Sequence, residues 1–221
     1  AYADNIQSNV IRPVASGTNS VSIGRESTSA GTASTALGYT ANAQGSLTTA
    51  IGYGATTGPT ADYSVAIGTN SSGQGSTTST GKGAMALGGS YASGDDSFAA
   101  AIGNNTSSYG AQALGATAIG NLNKVTSAGG YATSVGGYGN TVSANWATAL
   151  GGRSCAAAFD YSIALGYAGT PNAVGKMTFG HASGTAAGIG WGTLSLYIQT
   201  TNATPTAVSY THLTLPTILL V

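Results

Sequence analysis

Charge is what this sequence has least of. Only 5% of its 221 residues are charged, against roughly a quarter in an ordinary domain. Six basic residues balance six acidic ones, which leaves no basic patch for a phosphate backbone and argues against nucleic-acid binding. The single cysteine, Cys155, cannot close an internal disulfide, and its setting of Ser154, Ala156 and Ala157 reads as a packed, inert thiol. His181 and His212 are the only two histidines, too few and too remote to build a Ser-His-Asp catalytic set. Long apolar runs are also missing, because no stretch approaches the roughly 20 residues a membrane-spanning helix needs. No charged-then-apolar leader opens the sequence, so a secretion signal is expected either to be absent or to lie outside it.

Glycine is plentiful, at 35 residues, roughly twice its usual share. It does not recur every third residue, which excludes collagen. Disorder is the next alternative for so Gly/Ser/Thr-rich a chain. Yet 42% of residues are hydrophobic, whereas disordered chains combine low hydrophobicity with, usually, high net charge.

Those hydrophobic residues fall in register. Ala36-Leu37-Gly38 is restated as Ser22-Ile23-Gly24, Ala50-Ile51-Gly52, Ala66-Ile67-Gly68, Ala86-Leu87-Gly88, Ala101-Ile102-Gly103, Ala118-Ile119-Gly120, Ser134-Val135-Gly136, Ala149-Leu150-Gly151, Ala164-Leu165-Gly166 and Thr178-Phe179-Gly180. Successive large residues lie 14 to 17 positions apart, with one interval of 20. Three positions before each stands a small residue, such as Ser34, Ser64 or Ala147, and only Lys176 breaks that rule. Two positions before stands a mostly β-branched or apolar one, such as Val21, Thr35 or Ile163. Alternation with period two marks a strand, and a short near-constant repeat marks a solenoid.

Each copy has room for two short strands and two turns, so one copy is one coil of an all-β, parallel β-solenoid. The expected geometry is about 14–16 residues per coil and about 11 coils. A two-strand coil must be thin, which suits serine and alanine inside it. Glycine after the large residue allows a sharp bend without a Cβ penalty. The other face then carries Ile23, Leu37, Ile51, Ile67, Leu87, Ile102, Ile119, Val135, Leu150 and Leu165 outwards in a stack. At about 4.8 Å per coil the ridge is roughly 50 Å long, more contiguous apolar surface than a monomer tolerates. Copies of the same chain are its simplest cover, so these ten residues are predicted to face partners in an obligate homo-oligomer. The alternative places them inside a wider, monomeric solenoid.

The spelling of Asn19-Ser20-Val21-Ser22-Ile23-Gly24, and of Ser34 to Gly45, closely resembles the YadA-like head repeat of trimeric autotransporter adhesins. The likeness runs from Ser20 to about Gly180. It implies a homotrimer of left-handed parallel β-rolls with the large residues towards the trimer axis. It also implies extracellular display on a bacterial surface and binding to a host receptor, matrix protein or glycan. The same head repeat resembles that of phage and prophage tail-fibre proteins, and Lys176 to Ala207, especially Leu194 to Thr206, resembles the segment C-terminal to the repeats in such fibres. Residues 208–217 resemble a translated sequencing adapter of the kind that ends metagenomic reading frames, the alternative being a genuine terminal strand. The expected organisation is thus a lead-in over 1–19, head repeats over 20–180, a transition segment over 181–207 and a non-native read-through tail over 208–221.

Other chemistry is thinly represented. Asp95-Asp96 is the one adjacent acidic pair and is similar to the paired carboxylates of polysaccharide-cleaving solenoids, but a solvated turn is the plainer reading. Calcium-binding nonapeptides need an aspartate in every copy, which six acidic residues cannot supply. Gly136-Gly137-Tyr138-Gly139 lacks the lysine and the strand-to-helix setting of a phosphate loop. No catalytic residue, metal site or cofactor is therefore expected. The extra polar residues from Ser71 to Thr80 read as a surface loop. Tyr39, Tyr53, Tyr91, Tyr138 and Tyr167 are placed at turns, with Trp146 nearby, where they either grip sugar or protein or pack across the coil edge. An ice-binding face would need an unbroken threonine column, and Thr35, Thr49, Thr117, Thr133 and Thr148 are interrupted by Val65, Met85 and Ala100.

Overall fold

The computed structural model describes residues 12–69, 77–103 and 108–180. Among them every regular element is a strand, and all strands pair in parallel. Three-residue strands such as Thr35–Leu37 and Thr49–Ile51 form an 11-stranded sheet. Two-residue strands such as Asn42–Ala43 and Thr56–Thr57 form a 10-stranded sheet. The chain alternates between the two sheets, one strand of each per coil, so the fold is a parallel β-solenoid. Later strands of the larger sheet lengthen through the glycine, as in Thr133–Tyr138 and Thr148–Arg153.

Side-chain size explains the flat cross-section. From the larger sheet Ala36, Ala50, Ala66, Ala86, Ala118, Ala149 and Ala164 point inwards, each 0% exposed. From the smaller sheet Ser29, Ala43, Thr57, Ser79, Ala92, Ala111, Val125, Val142 and Ala157 meet them, all buried. Some polar members of this interior serve the turns. Ser34 donates its hydroxyl to the Gly31 carbonyl at 2.7 Å, and Thr48 does the same to Gly45 at 2.7 Å. Coils also approach too closely at one turn for any Cβ: one built on Gly38, whose φ is 132°, would lie 2.6 Å from the Gly52 carbonyl oxygen.

A second buried column lines the corner ahead of each short strand. Asn123 and Asn140 are fully buried there. The Asn123 Oδ1 accepts the Asn140 amide at 3.0 Å, and the Asn140 Oδ1 accepts the Cys155 amide at 2.9 Å. The Asn140 Nδ2 donates to the carbonyls of Gly136 and Gly151, at 2.9 and 3.1 Å. Cys155 ends this ladder, its thiol donating to the Gly166 carbonyl at 3.0 Å. Burial removes water from the thiol and pushes its pKa above the ordinary range, a shift partly offset by a hydrogen bond with the Gly169 backbone.

Three details differ from the expected coils. The short-strand sheet begins at Val14–Ala15, inside the stretch read as a lead-in, because these residues pair with Thr28–Ser29. Thr78–Ser79, assigned to the polar loop, forms a rung between Thr56–Thr57 and Tyr91–Ala92. Tyr138 and Tyr167 close strands rather than occupying turns, and Tyr91 opens one. Most of the polar insert, His181, His212, the segment 181–207 and the tail 208–221 lie outside the described residues.

A thin interior predicts intolerance of added volume. Ala118→Leu is expected to lower unfolding free energy by roughly 1–3 kcal/mol or more, whereas Thr141→Leu, on the outer face of the smaller sheet, should leave it within about 0.5 kcal/mol. Urea denaturation of the two variants checks this. Cys155 should resist thiol reagents at pH 8 until the chain unfolds. Because its pKa is raised in the fold, its contribution to stability should fade as pH climbs beyond the ordinary thiol range.

Candidate interaction surfaces

Two columns of side chains stand on the outer face of the larger sheet. One holds Ile23, Leu37, Ile51, Ile67, Leu87, Ile119, Val135, Leu150 and Leu165, aligned strand to strand. Phe179 extends it at the last described rung. The other, two residues earlier in each strand, includes Val21, Thr35, Val65, Met85, Thr117 and Ile163. Leu37 and Leu150 are each 41% exposed and Val21 is 46% exposed, high values for residues of a regular sheet. Neither column contains a charged residue on any of the 11 rungs.

One expected member is misplaced. The register pairs Leu87 with Ala100 and Ala100 with Ile119, so Ala100, not Ile102, occupies the outer column. Ile102 is fully buried, its amide donating to the Ser90 hydroxyl at 3.2 Å. The strand is Phe98–Ala100, and the triplet Ala101-Ile102-Gly103 that imitates the repeat lies just after it. Two residues therefore change columns: Ala99 lines the interior beside Ala86 and Ala118, and Phe98 stands outside between Met85 and Thr117.

A different edge carries exposed aromatics. Four positions before each outer-column residue the backbone turns left-handed, at Leu47, Tyr63, Asp96, Tyr131, Trp146 and Tyr161 among others. Tyr131, Trp146 and Tyr161 pile into one stack. Trp146 lies 6.3 Å from Tyr131 and 5.1 Å from Tyr161 between ring centroids, with interplanar angles of 10° and 3°. The stack leaves ring edges to solvent while adjacent faces cover one another. Left-handed geometry is costly for bulky residues, and stacking offsets part of it. The sequence spacing contains this signal, since aromatics recur four places before Ile67, Val135, Leu150 and Leu165. At the opposite corner Tyr39 packs on Tyr53 at 5.4 Å, with the Arg25 guanidinium 5.4 Å above Tyr39.

The acidic residues of the left-handed edge act as caps. Asp62 accepts the Ser46 amide, Asp95 the Lys82 amide and Asp160 the Asn145 amide, each at 2.9 Å. Asp95 thus repeats in its turn what Asp62 and Asp160 do in theirs, and Asp96 is the left-handed residue beside it. Among the described residues no three His, Cys, Asp or Glu side chains converge as a metal site. No helix among them is long and apolar enough to cross a membrane.

The YadA head domain repeat matches this chain in two copies, over residues 15–41 and 43–71. Residues 15–71 carry YadA-like head repeats. Those matched residues hold the first coils of both sheets, with Ile23, Leu37, Ile51 and Ile67 on the outer column. The register then carries the same coil through to Gly180. A search of the curated proteins finds no match.

Loss of the central ring of the stack should be felt. Trp146→Ala removes two ring contacts, each worth roughly 0.5–1.5 kcal/mol, and should lower the thermal midpoint. Tyr63→Ala, at an equivalent turn outside any ring stack among the described residues, should lower it less. Differential scanning calorimetry of both variants decides it.

Proposed function

We propose that this chain is a segment of a non-enzymatic, homotrimeric fibre that attaches to a cell surface. The observation that carries this reading is the uncharged outer face of the larger sheet, apolar along one whole column of its 11 rungs. Water contact along a ridge of roughly 50 Å is unfavourable. A rod of the same pitch is its natural complement, and a copy of the chain supplies one. The head-repeat match supports an adhesin-like role, and threefold display would turn shallow single contacts into avidity. The ligand is a host or bacterial cell-surface receptor, matrix protein or glycan. The setting is extracellular, on a bacterial outer surface or on a virion tail.

The alternative classes fare less well. The threonine column that ice binding would need is broken by Val65, Met85 and Phe98. A glycan hydrolase would need Asp95 and Asp96 for catalysis, and Asp95 is engaged on the Lys82 amide.

Light scattering on the purified protein tests the proposal. The wild type should have the mass of three chains, and Leu87→Asp or Leu150→Asp should give one chain with its β-type circular dichroism kept. A trimer should also bind target cells at least about tenfold more tightly than either monomeric variant. A folded wild-type monomer would overturn the reading.

A further inference from the structure

A periodic interface has a slip problem. The outer column repeats Leu, Ile and Val at about 4.8 Å intervals, and these residues replace one another with little change in volume. Sliding one copy past another by a single rung would therefore forfeit only about one contact in 11. Such a face promotes association without saying where it should stop. Staggered copies would leave an apolar end uncovered and keep growing, as non-closing contacts do. A unique register needs one rung that differs from the rest.

The structure contains one such rung well inside the stack. Among the rungs from Val21–Ile23 to Ile163–Leu165, Ala100 is the only outer-column residue smaller than valine, and Phe98 is the only aromatic in the neighbouring column. Both half-exposed side chains project from the same face of the same strand, Phe98–Ala100. Bulk has moved from one column to the other, because the isoleucine that imitates the repeat, Ile102, went into the interior.

We infer that Phe98 and Ala100 set the register of self-association, the Phe98 rings of the assembled copies filling the gap left where their Ala100 side chains meet. The inference rests on the trimer proposed above. Closed rotational symmetry brings identical rungs of all copies to one height, so the missing volume at Ala100 and the extra volume at Phe98 coincide. A slip of one rung would set Phe98 against a level already filled by Leu87 or Ile119 and leave the Ala100 gap empty. Overpacking and a cavity then penalise the same wrong state. The pair thus acts against alternatives as well as for the correct assembly.

Cysteine cross-linking in the full chain, with Cys155→Ser to remove the native thiol, reads the register directly. Ala100→Cys should cross-link to itself under a mild oxidant, and a mixture of Ala100→Cys with tagged Leu87→Cys should give little mixed product. Ala100→Leu with Phe98 retained should raise the protein concentration needed to hold the trimer by at least about tenfold. The double change Phe98→Thr with Ala100→Leu restores an ordinary rung. It should fold and associate, but sediment as a mixture of staggered and higher-mass species. Equal 100–100 and 100–87 cross-links in the trimers of these cysteine variants, or an Ala100→Leu trimer as tight as wild type, would overturn this inference alone. A monomeric wild type would overturn the trimer itself.

Discussion

The constraint that governs the whole molecule is the narrowness of the space between the two sheets. Each coil turns back on itself after two or three residues, so little beyond serine, alanine, threonine or valine fits inside. A core of that kind gains little from any one buried side chain. Stability comes instead from repetition: each coil hydrogen-bonds to the next along both sheets, as in other quasi-one-dimensional repeats. Ile102 apart, the large aliphatics that would fill an ordinary core have only the outside left to them. Folding and assembly are thus linked, since the arrangement that excludes leucine from the interior is the one that lays it bare.

The ends of the coils solve a separate problem, the satisfaction of turn carbonyls and amides that face no strand. In the first coils serine and threonine hydroxyls do this from inside, as at Ser34 and Thr48. Further along, the interior turns to alanine and the task passes to the corner, where Asn123, Asn140 and Cys155 bridge successive coils. At the left-handed edge Asp62, Asp95 and Asp160 cap the preceding coil. So few charged residues suffice because most polar work is done by neutral groups and by the backbone itself.

Much of this is legible in the sequence. The period, the parallel coil, the small interior and the outward column come from residue size at fixed spacing, and the structure reproduces them from Ile23 to Leu165. The failure at Ile102 is instructive. Ala-Ile-Gly matches the repeat letter for letter, yet Phe98-Ala99-Ala100 is what pairs with the neighbouring rungs. Strand register is decided by which residues fit inside, and the triplet spelling tracks that only indirectly. The corner ladder escapes a reading by residue type because its members differ in kind: Asn123, Asn140 and Cys155 share a position, not a side-chain class. The aromatic stack is only half visible. Trp146 stands out, but Tyr131 and Tyr161 lie four places before the large residue, and the expected tyrosine turns lie after it.

The central claim is that the outer column is sheltered by sister chains. A crystal structure of the assembled protein measures this most directly. The account predicts that Leu37, Ile51 and Leu150 lose nearly all solvent contact against the same rungs of other copies. Copies that met through the polar outer face of the smaller sheet, around Asn42, Thr56 and Lys124, and left that column in water would contradict it.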